Sequence, residues 1–353
     1  MSDWREPFLD AMRTGIPAPG PVSVHVDLTN TCNAACVTCW DHSPHLRTPR
    51  AAEWKRRRMP RERFLALRDE LLALGTVRHV ILSGMGDPLT HPDAAELIAA
   101  CSGVGWDVTV ISNLIAMDAD ALIAARPEQL LVGVHGVTPD TYAAFHPGWS
   151  EVQFFRLCAH LRALAHAPIR VRHVHVIERH NAHELAAMVR FGRTFGAERV
   201  TFKLASLAAG TEVVGIDDEQ REALATRWIP EARALAERLR VATNLALFER
   251  QLGAGGRATV PLDEVACHMG HVFTRITVDE EVLYCCNTAI PVGSLRDAPF
   301  AELWRGERWQ ALRARIAARG WFDGCERCGK LEQNVKWGRL LREDVNTLSR
   351  QGT

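Results

Sequence analysis

Six apolar, strand-like runs alternate with helical patterns between residue 22 and about residue 206. That alternation confines the chain to a parallel α/β architecture, because parallel neighbours need crossover connections and the intervening helices supply them. The runs lie at 22–28, 77–83, 107–112, 130–135, 171–177 and 199–204. Pro60 is placed to open a helix whose Phe64, Leu67, Leu71 and Leu74 fall on one face. Periodicity does not say whether the sheet closes. In such folds reactive groups gather at the C-terminal ends of the strands. The 353 residues leave room for one large α/β domain and a smaller one.

Directly after the first run come Cys32, Cys36 and Cys39, spaced C-x3-C-x2-C. Structural 4Fe–4S clusters usually take four cysteines. Three thiolates on one short loop hold three irons of a cube and leave the fourth open to another ligand. The competing readings are a zinc loop and three unrelated thiols. Zinc prefers four ligands, commonly as paired short spacings, and this segment has no fourth cysteine. One βα unit later, Gly84-Met85-Gly86-Asp87-Pro88 follows the run ending Ile81-Leu82-Ser83. Glycines after a strand let the backbone approach a ligand closely, although taken alone such a stretch is an ordinary turn.

The cysteine loop and this glycine element together resemble the radical S-adenosylmethionine (SAM) superfamily. The resemblance implies an incomplete (β/α)6 barrel, open on one side. It implies that SAM chelates the open iron, and that an electron from the cluster cleaves SAM to a 5′-deoxyadenosyl radical. Backbone carbonyls of the Gly84–Asp87 element then receive the SAM amino group, with Met85 and Asp87 departing from the family's glycine-glycine-glutamate-proline pattern. The residue before the last cysteine is typically aromatic in the family; here it is Thr38, with Trp40 one position beyond. Ser112-Asn113 after the third strand and His135 at the end of the fourth are further cofactor-facing candidates by the resemblance. Their plain readings are a turn or helix cap and a satisfied core histidine.

Cys267, Cys285, Cys286, Cys325 and Cys328 form a second set in the last quarter. A hairpin pattern at 273–284 and a helix with Phe300, Leu303 and Trp304 lie between its halves. A hairpin and helix bracketed by cysteines resemble the C-terminal SPASM and twitch modules of radical SAM enzymes. The missing later cysteines resemble the shorter twitch type. The resemblance implies one auxiliary 4Fe–4S cluster on Cys267, Cys285, Cys325 and Cys328, with Cys285 preferred to Cys286. Four thiolates suit structural zinc equally well. Full ligation by protein would make such a cluster an electron conductor or a fold element. Cys101 and Cys158 read as buried apolar thiols.

The expected organisation is an N-terminal extension over 1–21, the partial barrel over 22–215, and a helical connector over 216–257. A cluster module over 258–335 and a tail over 336–353 complete it. His173 and His175 share one face of the fifth strand. His175, Glu178 and Lys203 are candidates for acid–base or anchoring roles. Trp40, His42 and His45 follow the cluster loop. Lys55-Arg-Arg-Arg58 reads as a solvated loop or as a site for an anionic group.

Lys plus Arg equals Asp plus Glu at 42 each, which argues against bulk attraction to nucleic acid or to an anionic membrane. The start has no signal-peptide core, and no run of about 18 apolar residues exists. Ten cysteines without a secretion signal favour metal binding over disulfides, and the cytoplasm is the expected compartment. The reading is a radical SAM enzyme fed by an external one-electron reductant such as flavodoxin or ferredoxin. Only some twenty residues precede the first strand, too few for the leader-binding domain that peptide-maturing relatives commonly carry. The expected substrate is therefore a small polar molecule, a sugar, aminocyclitol or nucleoside, with net oxidation as the leading reaction. A ribosomal-peptide maturase is the first alternative. An epimerase or decarboxylase and a non-enzymatic iron–sulfur or zinc scaffold follow.

Overall fold

The computed structural model describes residues 3–256 and 264–351. The chain divides into two compact units. One comprises the residues up to Val26, Pro60–Val80 and the residues from Arg257 on; the other comprises Asp27–Met59 and Ile81–Gly256. The expected boundary at 257/258 lies outside the described residues. The division runs through the first two strands, β1 (Ser23–Asp27) and β2 (His79–Ser83).

The larger unit carries the βα repeats. After β2 come β3 (Asp107–Ser112), β4 (Gln129–Gly133), β5 (Arg170–Ile177), β6 (Arg199–Leu204) and β7 (Ala242–Thr243), side by side in chain order. From β3 to β7 every pairing is parallel, with Thr109 opposite Gln129, Gln129 opposite Arg170 and His175 opposite Phe202. The sheet is an open series of parallel strands with helices between them, the expected α/β class. The two-residue β7 is an edge strand inside the segment expected to be a helical connector.

Alternation along β5 turns Val171, His173, His175 and Ile177 to a fully covered face. Ile177 joins Val200 and Phe202 of β6 against Leu185, Met188 and Val189 of helix Leu185–Thr194, with Leu224, Ile229, Leu235 and Phe248 beyond. His173 sits 5.8 Å from the Phe191 ring, and His175 stacks on Phe202 at 5.8 Å with the planes 23° apart. None of the four ring nitrogens of these histidines has a protein hydrogen-bond partner.

In the smaller unit, β1 pairs in parallel with β8 (Phe273–Ile276), which turns back antiparallel into β9 (Glu281–Leu283) and then β10 (Pro291–Ser294). Glu280 closes the β8–β9 turn at φ 66°. Helix Arg61–Ala73 has Pro60 at its N-cap and buries Phe64, Leu67 and Leu71; Leu74 falls just beyond its end. The Glu70 carboxylate accepts the Phe300 backbone N–H at 3.2 Å, at the start of helix Phe300–Arg305. Trp304 and Trp309, both fully buried, meet edge-on at 4.4 Å. Each indole N–H finds a backbone carbonyl, of Ala18 at 2.8 Å and of Gly270 at 3.1 Å, so the large rings are buried with no polar group left over. Among the described residues no helix is long and apolar enough to cross a membrane.

Burial drives the His173 pKa down to about 3 and that of His175 well below its usual value. Both are neutral in the folded state, so the unfolded chain binds the extra protons. Their stability contribution is complete above about pH 6.5 and falls as the pH drops towards the folded pKa values. Between pH 6.5 and 5, unfolding free energy should decline by about 1.4 kcal/mol per pH unit for each histidine. His173→Phe should remove one proton's worth of that slope, as measured by urea unfolding at several pH values. An unchanged slope would mean that His173 titrates normally in the folded protein.

Candidate functional site

The first cysteine loop leaves β1 against the turn that leaves β2. Leu28 donates its N–H to Ser83 O at 3.1 Å, Gly86 to Thr29 O at 3.1 Å, and Asp87 to Thr31 O at 2.9 Å. The two backbones come so close that only glycine fits. A Cβ on Gly86 would stand 2.1 Å from Thr31 O, and one on Gly84 would stand 2.8 Å from Thr29 O. The requirement for glycine here is steric and does not come from an unusual φ.

Asp87 is 5% exposed and anchors this junction. Its carboxylate accepts the backbone N–H of Leu89 at 2.9 Å, the Ser112 hydroxyl at 2.9 Å and the Asn113 N–H at 2.8 Å. Burial raises its pKa, and those donors pull it back. Asn113 Nδ2 in turn donates to Asn33 Oδ1 at 2.8 Å, and Trp149 Nε1 donates to Asn33 O at 3.0 Å. Asp87, Ser112 and Asn113 therefore form one network that reaches the residue beside Cys32.

Within the loop, Val37 N–H binds Phe145 O at 3.0 Å, and the Ser43 hydroxyl binds Val37 O at 2.8 Å. Cys39 Sγ accepts N–H groups from Asp41 at 3.5 Å and His42 at 3.3 Å. Burial, and then Asp87, push the Cys32 thiol up to about 12; burial and the neighbouring thiols raise Cys36, and burial raises Cys39. Thr38 is buried, whereas Trp40 is 57% exposed and donates its indole N–H to Ser206 O at 2.5 Å.

His135 lies beneath this loop at φ 59°, with its ring 4.4 Å from that of Phe145. Its Nδ1 accepts the Val176 N–H at 3.1 Å, and burial takes its pKa well below the usual value. His175 faces the helix-side core. Glu178 is fully buried, accepting the His180 backbone N–H at 3.1 Å and meeting the His180 Nδ1 at 2.8 Å. Lys203, one residue before the end of β6, is solvent-exposed by area, and partial desolvation by the surrounding protein lowers its pKa. Cys101 is fully buried in helix Ala94–Ser102 and Cys158 lies in helix Glu151–Leu164, neither of them in this network.

The second thiol set is also assembled, within the smaller unit. Asn334 is 3% exposed; its Oδ1 accepts the His268 N–H at 2.7 Å, and its Nδ2 points at both Cys267 Sγ and Cys328 Sγ, each at 4.0 Å. Sequence reasoning passed over Asn334 because one asparagine in a helical pattern carries no signal. Asn287 donates its N–H to Cys285 Sγ at 3.4 Å and its amide to Asp323 O at 2.8 Å, bracing the Cys325 turn. Burial pushes Cys267 up to about 12 and Cys328 to about 11. Adjacent Cys285 and Cys286 share a hydrogen bond that pushes Cys286 down to about 6, helped by Lys330 and Arg275, and drives Cys285 up.

Among the described residues no three His, Cys, Asp or Glu side chains converge as a single ion would require. A cube of four irons spreads its thiolates wider than one zinc does. Half-buried, mutually repelling thiols on loops already fixed by hydrogen bonds suit such a multi-iron cation, whose binding displaces their protons.

Asp87→Asn keeps the size of the anchor but points an NH2 group at donors. It should loosen the junction by about 1–3 kcal/mol, seen as faster amide exchange over 29–33 and 84–90 with the β5–β6 core unchanged. Unaltered exchange there would remove Asp87 from its anchoring role.

Comparison with known proteins agrees with this geometry. The Radical SAM superfamily profile matches residues 26–192, and the SPASM profile, an iron-sulfur cluster-binding domain, matches residues 267–329. A PqqA peptide cyclase of Xanthomonas campestris pv. campestris (strain 8004) is 27% identical over 342 residues, covering 91% of this chain and 82% of the relative. One from Ruegeria pomeroyi is 28% identical over 185 residues, covering 52% of this chain and 46% of the relative. In fold, the chain is similar to SuiB of Streptococcus suis bound to S-adenosylmethionine, with a TM-score of 0.61, 14% identity, and 88% and 71% of the two chains covered. It is also similar to anSMEcpe with bound AdoMet, with a TM-score of 0.63, 10% identity, and 88% and 87% covered. The expectation of a sugar, cyclitol or nucleoside substrate is overturned by these relatives, since the curated ones are named for cyclising a peptide. The chain is a radical SAM superfamily enzyme with a C-terminal SPASM-type iron–sulfur module.

Proposed function

We propose that this enzyme modifies a peptide, closing a bond within it as the name of its PqqA peptide cyclase relatives describes. The observation that carries the reading is the similarity to such a cyclase over 342 residues, which runs through both matched domains.

In this reading Cys32, Cys36 and Cys39 hold a 4Fe–4S cluster whose open iron takes SAM, and Cys267, Cys285, Cys325 and Cys328 hold an auxiliary cluster. These groups supply one-electron chemistry and a 5′-deoxyadenosyl radical for hydrogen abstraction. The chain's own residues position them. The Gly84-Met85-Gly86 backbone lies beside the cluster loop, and Asp87 with Ser112 and Asn113 fixes that backbone. Thr38 and Trp40 flank Cys39, and His135 supports the loop through Phe145. Lys203, with its lowered pKa, is the proposed acid–base or carboxylate-binding group. His175, packed on Phe202, and Glu178, bound to His180, serve the fold. The electron comes from an external donor of the flavodoxin or ferredoxin type, and the cytoplasm is the proposed compartment.

Anaerobically reconstituted enzyme should hold about eight irons per chain, and replacing Cys32, Cys36 and Cys39 together by Ala should leave about four. The same variant should form no 5′-deoxyadenosine under reductant. About four irons in the intact enzyme would refute the second cluster. With SAM, reductant and a cognate peptide, the expected product is the peptide lighter by two hydrogen atoms, detected by mass spectrometry and resistant to sequencing across the new link. A panel of synthetic peptides supplies the candidates. An unmodified panel, together with turnover of a small molecule, would defeat the peptide reading.

A further inference from the structure

The chain is neutral overall, yet residues 47–58 hold six basic side chains and one acidic one, a local net charge of +5. Arg50 is matched by Asp41, at 2.8 Å, and lies 4.8 Å over the Trp54 ring. Lys55, Arg56, Arg57 and Arg58 follow in a row, and the three arginines are exposed. A solvated basic loop would hang free. This one is sutured along its backbone to the segment that leads into the first cysteine loop. Asn30 Nδ2 donates to Trp54 O at 3.2 Å, the Thr31 hydroxyl to Lys55 O at 3.1 Å, and Asn30 N–H to Arg57 O at 2.9 Å. Met59 N–H returns to Leu28 O at 2.9 Å. The carbonyls of Trp54, Lys55 and Arg57 are taken by these bonds, while Arg56 and Arg58 are exposed.

One contact connects this strip to the iron-binding loop. Thr31 is bonded to Cys32, so a single hydrogen bond separates the Lys55 carbonyl from the residue before a thiol ligand. A surface that is rigid, cationic and one hydrogen bond from the loop suits a partner that must approach the cluster and leave again. Rim charges of this kind govern the association rate and its salt dependence.

We propose that residues 55–58 form the docking surface for an acidic one-electron donor protein of the flavodoxin class, which delivers its electron through the Cys32 loop. The donor hydroquinone gives one electron and becomes the semiquinone, while the cluster accepts that electron. The inference rests on the radical SAM assignment and not on the peptide substrate, because SAM cleavage can be followed without any peptide.

The test uses the reconstituted enzyme with Arg56→Glu and Arg58→Glu combined; half-buried Lys55 is kept. 5′-Deoxyadenosine formation is measured at low salt with reduced flavodoxin and, in parallel, with dithionite. The flavodoxin-driven rate should fall about tenfold or more while the dithionite-driven rate holds. Added salt, which screens such steering, should slow the unmodified enzyme towards the variant with flavodoxin alone. If the double Glu variant loses iron, Arg56→Gln with Arg58→Gln takes its place, with a smaller drop of the same selectivity expected. An unchanged flavodoxin rate overturns the proposal. So does an equal loss with both reductants, which would place these arginines in the cofactor site. A drop in affinity for an acidic peptide with flavodoxin turnover intact would reassign the strip to substrate.

Discussion

The contact on which the larger unit's site depends is between two stretches of backbone. Gly86 and Asp87 donate their N–H groups to the carbonyls of Thr29 and Thr31 at a separation that leaves no volume for a Cβ on Gly84 or Gly86. Once these segments are locked, β1 and β2 deliver their C-terminal ends to one place, and the three thiols have a fixed foundation. Asp87 extends the lock to β3 through Ser112 and Asn113, and Asn113 extends it to Asn33. Hydrogen bonds of about 1 kcal/mol each, stronger where a carboxylate accepts, are enough together to hold such a loop before any ligand binds. The site is preorganised by main-chain geometry, and its cysteines are passengers on that geometry.

Most of the architecture was legible because its signals are periodic. The six strand runs were placed within a residue or two, and the hairpin and the Trp304 helix stand where the pattern put them. What was missed is short or non-periodic. β7 has two residues and β10 begins at Pro291, and neither alternates long enough to register. The face of His173 and His175 was ambiguous because strand alternation pairs residues without saying which side is covered. Helix Leu185–Thr194 decides it, by laying Phe191 over His173. Asp87 looked like a weakened motif position. In the structure the shorter side chain reaches Ser112 and the Asn113 N–H from beside its own turn.

The substrate was misjudged for a different reason. The cysteine count describes the cofactors and does not touch the surface that meets a substrate. The inference from a short N-terminal segment to a small molecule assumed that peptide recognition needs a separate domain. Relatives of similar extent, with this chain covering 82% of one of them, are named as peptide cyclases. Recognition chemistry is carried by side chains scattered over loops, which leave no spacing to read.

The two thiol sets also differ in how their surroundings treat negative charge. Cys32 lies close enough to the Asp87 carboxylate to be pushed upward by it, and its neighbours offer mainly backbone N–H groups. The second set has the Asn334 amide directed at two sulfurs, the Asn287 N–H on a third, and Lys330 and Arg275 acting on Cys286. N–H donors and cations around thiolates raise a cluster's potential. The two sets of thiols are thus given different neighbours by residues outside the cysteine motifs. That difference rests on a carboxylate fixed by Ser112 and Asn113 in one unit and on an asparagine fixed by the His268 N–H in the other.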